Sequence, residues 1–410
     1  MRFDTPAMLN LYYHFVISIH SNLSKMNPTE LKKILTSGSL LFLSFTLLYA
    51  QESFKPKYNN SIIYSGIEVG SKGVKLSVVE LGKNAQTRGA FNVLKDSTIN
   101  TDFISFSEPT FQATLEGLYG LFSLVTKKYM IPSNKVFTVI SSGVRIQAEK
   151  DNKYDWINKL IKDFRNKIND PDRKVEVIDV MGEARLSHLG IVPDEKRFKT
   201  FLIDIGSGNT KGGFFPYGNT KDFKLFQISW GTKSTANATE KSMENDEDKT
   251  LVNYNKQMAR VLSGAENSEI IYQVNSSGAY PLSDNIAISG GIAWSVATLL
   301  HPEQIDNAIV PVSFEEVVGL SQNLYNNFSS LSDAALIKNI NDANADKAGI
   351  AKEILRVHKV FDQRSLMAGT GILLKIMRQF ASVYETKQFY LVKSGQVGWI
   401  SAYVDQHSDK

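Results

Sequence analysis

No cysteine occurs anywhere in the sequence, which rules out a disulfide framework, a thiolate nucleophile, a cysteine-ligated metal site and a lipidated cysteine anchor. Histidine is scarce too. Its six copies are scattered, with no HExxH pair or other ligand spacing, so no structural zinc site is expected and lone residues such as His188 and His358 read as ordinary core or surface positions. An excess of charge of one sign is also missing. The net charge is +4, and residues 1–50 hold Arg2, Lys25, Lys32 and Lys33 against Asp4 and Glu30, which leaves about +2 on the rest. That balance argues neither way about nucleic acid, and none is expected as a partner.

The N-terminal part reads as an address. Lys32 and Lys33 precede an uncharged run, residues 34–48, that ends in Tyr49-Ala50-Gln51-Glu52, the layout of a secretory signal with a small residue at the cleavage point. The run has the length of a signal's apolar region and is short for a spanning helix. The expectation is a signal peptide over residues 26–50 and a mature chain from about Gln51, periplasmic or secreted, with no stable membrane insertion after cleavage. An uncleaved signal would instead anchor it. Met26 stands where a short basic leader would begin, so residues 1–25 read as an extension upstream of the true start.

The chain is longer than one core normally spans, and 42% hydrophobic content supplies apolar side chains for two domains. Residues 62–80 alternate strand-like runs about a glycine turn, with Ile67, Val69, Val74, Leu76, Val78 and Val79 as the apolar members, and read as a β-hairpin. Helical spacing over 111–128, a short strand over 135–140, an amphipathic helix over 154–168 and a strand over 175–180 that feeds a further helix imply an α/β sheet. Residues 198–215 repeat the strand, glycine turn, strand plan. A boundary near 193–199 is expected, dividing the chain into domains 58–197 and 198–410. Later, residues 243–248 read as a solvated acidic loop, 313–325 as a helix opened by a Ser-x-x-Glu capping box, and 388–392 with 397–403 as a closing strand pair.

The chemistry is expected at the turns. Gly70, Ser71, Lys72 and Gly73 place two glycines and a hydroxyl where backbone N–H groups can converge on an anion, and Gly206, Ser207, Gly208, Asn209 and Thr210 do the same in the second copy. Either turn alone is weak evidence. Their joint occurrence with the same strand phasing, and a third glycine pair at Ser289-Gly290-Gly291 before a helix, supplies the ingredients of the actin-like ATPase superfamily. In that fold two ribonuclease-H-like domains flank an interdomain cleft, and the first two turns grip phosphates from opposite sides.

Further segments resemble the exopolyphosphatase and guanosine pentaphosphate phosphohydrolase family. Ser141-Ser142-Gly143-Val144-Arg145 resembles its small-residue turn ending in arginine. Residues 177–186, closing on Glu183-Ala184-Arg185-Leu186, resemble its strand-then-Glu-Ala-Arg-Leu signature, with Leu189-Gly190-Ile191 at matching distance. Residues 201–208, 229–234 and the Arg364 to Gly369 stretch match its second phosphate turn, a later glycine segment and a late helix, in family order. The resemblance implies Glu183 as the catalytic carboxylate that activates water, Arg145 as a neutraliser of phosphate charge, and Glu68 and Asp204 as residues that orient a magnesium ion through water. It implies a phosphoanhydride hydrolase that releases terminal phosphate from polyphosphate or a nucleotide polyphosphate, and leaves a homodimer open.

The sequence also departs from that family. Glu68 stands for the usual Asp, Lys72-Gly73 for Asn-Ser, and Asn209-Thr210-Lys211 where a glutamate is expected after Ser-Thr, so a carboxylate has become an ammonium. Lys211 is expected to attract phosphate, which makes a binding protein with impaired turnover the first alternative. The Asp204 to Lys211 string also looks like the phosphate turn of certain sugar kinases. Export argues against that alternative, because exported compartments lack ATP.

Overall fold

Two sheets are built on one plan. In the computed structural model, which describes residues 54–71, 73–82, 91–341, 345–381, 386–393 and 395–408, the first sheet has strand order β3-β2-β1-β4-β5. Its strands are β1 (Ile62–Val69), β2 (Gly73–Leu81), β3 (Phe91–Asn100), β4 (Val136–Ile140) and β5 (Val175–Val177). The second has order β10-β11-β9-β6-β7-β8, with β6 (Thr200–Ile205), β7 (Thr210–Phe214), β8 (Lys224–Ile228), β9 (Asn285–Ser289), β10 (Ile309–Val312) and β11 (Gln388–Val392). Each opens with an antiparallel three-strand meander, and its first strand then pairs in parallel with a strand reached through helices. With β10 set aside, the order and sense of pairing repeat. This is the duplicated plan expected for the actin-like fold class. The signal segment, the residues before it and Lys72 lie outside the described residues.

Helices cover the sheets. In the first half these are α1 (Glu108–Ser123), α2 (Ser142–Lys150), α3 (Tyr154–Ile168) and α4 (Val180–Ile191). The α1 residues Phe111, Leu115, Leu118 and Phe122 are buried at helical spacing, and Ser107 with Thr110 closes the helix start in a capping box. The strand into α4 ends at Val177, short of the expected residue 180, because the Asp179 carboxylate accepts the Gly182 N–H at 2.6 Å and caps the helix.

In the second half come α5 (Thr232–Ser242), α6 (Leu251–Ala265), α7 (Gly291–Leu300), α8 (Phe314–Asn326), α9 (Lys347–Val360), α10 (Gln363–Phe380) and α11 (Gly395–His407). The expected Ser313–Glu316 capping box is present at α8. The main core lies here, where Phe201, Ile203, Phe214 and Phe226 of the sheet pack with Leu366, Leu373, Met377 and Phe380 of α10. Phe54–Lys127 and Ile131–Lys410 form one compact unit.

One element differs from expectation. Residues 388–392 are a strand, but 397–403 belong to helix α11 and not to a second closing strand. Trp399, Ile400, Ala402, Tyr403 and Val404 are all buried, so the segment is apolar on every side and shows no helical period. It packs on α4 and against β1, where Ile400 meets the bare backbone of Gly66.

Candidate active site

The two hairpin turns have the same geometry. In the first, the Gly70 N–H donates to the Gly73 carbonyl at 2.9 Å, and in the second the Gly206 N–H donates to the Asn209 carbonyl at 3.0 Å. Strand register then sets Glu68 opposite Lys75 and Asp204 opposite Lys211. The strings Glu68 to Lys75 and Asp204 to Lys211 therefore match without a gap, each beginning with a carboxylate and ending with a lysine on the facing strand. Directly opposite residues in an antiparallel pair share a face.

The second turn is held from beneath. N–H groups of Thr232, Lys233 and Ser234, in the first turn of α5, donate to the carbonyls of Gly206 and Ser207 at 2.7 to 3.2 Å, and the buried Thr210 hydroxyl donates to the Trp230 carbonyl at 2.7 Å. Ser207 and Gly208 at the tip stay exposed, with Asn209 half-buried. The third turn closes on the same place. Gly290 has φ of 101°, and a Cβ there would stand 2.2 Å from the Ile205 carbonyl oxygen, so only glycine allows Ser289 and Gly291 to come this close. The Ser289 hydroxyl donates to Asp204 Oδ1 at 2.8 Å.

Glu183 projects from the first turn of α4 into this cluster. Its Oε2 accepts the Ser142 N–H at 2.8 Å, at the start of α2, and its Oε1 lies 2.5 Å from Lys211 Nζ, which also reaches the Ser142 hydroxyl at 3.4 Å. Glu183 is 4% exposed and Lys211 7%. Burial pushes the Glu183 carboxyl up, but Lys211 and the Ser142 donors outweigh it and hold the group below its ordinary value. Burial likewise works against the Lys211 charge, and the carboxylates of Glu183 and Asp204, then Glu68, raise it nonetheless. Removing one member of such a buried pair costs about 3–5 kcal/mol, so each fixes the other's charge. Glu68 and Asp204 are different: burial raises both, and the nearby Glu183 charge adds to it.

No family model matches the sequence, and neither does any curated protein. Solved structures do match. A Ppx/GppA family member from Aquifex aeolicus aligns over 85% of this chain and 100% of its own, with a TM-score of 0.56 and 15% identity. The type II variant structure of the Aquifex aeolicus Ppx/GppA phosphatase gives 0.55 and 14% over the same shares, and an exopolyphosphatase from Cytophaga hutchinsonii 0.51 and 14% over 85% and 99%. The fold is that of the Ppx/GppA structures.

Within this Ppx/GppA fold the residues expected at the site fall into two groups. Glu68, Gly70, Ser71, Gly73, Glu183, Asp204, the Gly206 to Lys211 turn and Ser289 to Gly291 are brought to one place. Arg145 is not joined to them by any contact among the described residues. Its guanidinium lies on α2, 2.8 Å from Glu149 on the same helix, where that hydrogen bond, against a smaller effect of burial, raises its pKa. Two residues join the site without having been expected there. Ser142 supplies the N–H that holds Glu183, and Lys75 sits 3.6 Å from Glu68. Lys75 also lines a cavity of about 260 Å³ with Asp96, Thr98, Trp294, Glu353 and Arg356. Across it Arg356 reaches Asp96 at 3.3 Å, linking β3 to α9.

Magnesium is the cofactor the resemblance implies, with Glu68 and Asp204 to orient it. The residues around them do not fit that ion as they stand. Both oxygens of Glu183 are engaged, Asp204 accepts from Ser289, Glu68 faces Lys75, and the Lys211 ammonium already lies in the field of all three carboxylates.

Proposed function

We propose that this chain hydrolyses phosphoanhydrides, releasing the terminal phosphate of polyphosphate or of a nucleotide polyphosphate held between the two hairpin turns. Glu183 supports the reading most directly, as a nearly buried carboxylate that Lys211 and the start of α2 keep ionised at the meeting point of both turns. A base must be ionised to accept a proton, and burial alone works against the ionised form. In the proposed step the oxygen of water bonds to the terminal phosphorus while the bridging P–O bond breaks. The proton of water passes to Glu183, and the electron pair leaves with the bridging oxygen of the shortened chain. Backbone N–H groups at the turn tips, Ser71 in the first and Ser207 and Gly208 in the second, would receive the phosphoryl oxygens. Lys211 would keep its bond to Glu183 and offer a remaining N–H to the phosphate, and Arg145 would have to leave Glu149 to take part. The cavity beside Lys75 offers room for the rest of the substrate.

The Lys211–Glu183 pair also favours a second reading, binding of the polyanion with impaired turnover, since a carboxylate tied to an ammonium is a weaker base. Phosphate release from polyphosphate and from guanosine pentaphosphate, by the wild type and by Glu183→Gln, separates the two. Release by the wild type, lost by a factor of about 10² to 10⁴ in the variant while binding persists, is the expected result. Binding with no release by the wild type at any magnesium concentration would leave the second reading. The proposal includes export directed by residues 26–50.

A further inference from the structure

We propose that the ammonium of Lys211 is the site's built-in cation, standing among Glu183, Asp204 and Glu68 in the place a divalent ion would take, so that the site binds and processes phosphate without magnesium. The inference rests on the reading of this site as a phosphoanhydride site. Lys211 faces Asp204 across the hairpin, is ion-paired to Glu183 at 2.5 Å and is 7% exposed. Its charge is therefore shared with carboxylates and hardly with water. A buried charge is also poorly screened, so a divalent ion beside it would meet repulsion that salt does not relieve.

Room and donors point the same way. Magnesium demands near-octahedral oxygen ligands and keeps several of its waters. Beside Lys211 both oxygens of Glu183 are engaged, by Lys211 and the Ser142 N–H, and so is Oδ1 of Asp204, by the Ser289 hydroxyl. An ammonium has three N–H donors. Glu183 and Ser142 take two of Lys211's, and the third can meet a phosphoryl oxygen. Lys75 stands at the matching position of the first hairpin, 3.6 Å from Glu68, so each cradle carries its own lysine against its own carboxylate.

The test reads metal directly. Chelator-stripped protein is titrated with Mn²⁺ and free ion is followed by electron paramagnetic resonance, for the wild type, Lys211→Gln and Asp204→Asn, with thermal midpoints recorded with and without Mn²⁺. The wild type is expected to leave Mn²⁺ free, and Lys211→Gln to bind it at least tenfold more tightly and to gain a Mn²⁺-dependent rise in midpoint. Stoichiometric binding by the wild type that Asp204→Asn abolishes overturns the inference, and so does a folded Lys211→Gln that gains nothing. Should Lys211→Gln not fold, the wild type and Asp204→Asn decide by themselves. No turnover is needed for any of these readings, so a protein that hydrolyses nothing would defeat the proposed function and leave this result standing.

Discussion

His188 lies at the back of α4 with its ring edge-on to Phe215 and Phe223 and its Nε2 donating to the Thr200 carbonyl at 2.9 Å. Burial pulls the imidazole from its ordinary 6.5 down to about 4, with a smaller push from Arg197. The unfolded chain takes up a proton below pH 6.5 that the folded chain refuses until about pH 4, so stability falls as pH drops through that window. The full window is worth about 3 kcal/mol at 1.36 kcal/mol per pH unit. Urea unfolding of the wild type and His188→Gln at pH 7, 5.5 and 4.5 is expected to show this slope in the wild type alone, and an equal slope in the variant would place its origin elsewhere. Residue-scale chemistry was partly legible in the sequence. Glu183 and the glycine turns stand out by type and spacing, whereas the Lys211–Glu183 pair joins strands and helices that the sequence separates widely. Lys75 carries a plain signal, a lysine at the same distance after Glu68 as Lys211 after Asp204, which becomes meaningful once hairpin register sets each opposite its carboxylate.

Elements with one buried face declared themselves. The period of α3 places Ile157, Leu160 and Phe164 on the face that the structure buries, whereas the strands of the first hairpin are buried on both faces. Helix α11 did not, because its neighbours cover it all round. It crosses α4 so closely that a Cβ on Gly190 would stand 1.9 Å from the Gly398 carbonyl oxygen, a contact with backbone that no side-chain rotation relieves. Gly190→Ala must push the two helices apart, and overpacking of this kind costs about 1–3 kcal/mol. Chemical denaturation is expected to show a loss of about 2 kcal/mol, and a loss below about 0.5 kcal/mol would mean that the crossing yields freely. Because α4 carries Glu183 on its first turn, the same shift is expected to loosen the Glu183–Ser142 hydrogen bond.

At the scale of the whole molecule, the duplicated sheet was legible because two strings of eight residues share a carboxylate, a Gly-Ser pair, a closing lysine and strand phasing, and those strings proved to be the matching hairpins of both sheets. The joining of the halves was not, since it depends on α11 returning to pack on α4 and β1 after the second sheet is complete. The working compartment decides between phosphoanhydride chemistry and the kinase alternative, because only a compartment with ATP can support a kinase. The apolar run 34–48 behind Lys32 and Lys33 predicts cleavage near Gln51. Amino-terminal sequencing of the protein purified from its native cells, together with fractionation, is expected to find a chain beginning near Gln51 outside the cytoplasm. A chain that keeps residues 26–50 and stays with the cytoplasm would overturn export, and ATP-dependent phosphoryl transfer would then be the reaction to assay against Glu183→Gln.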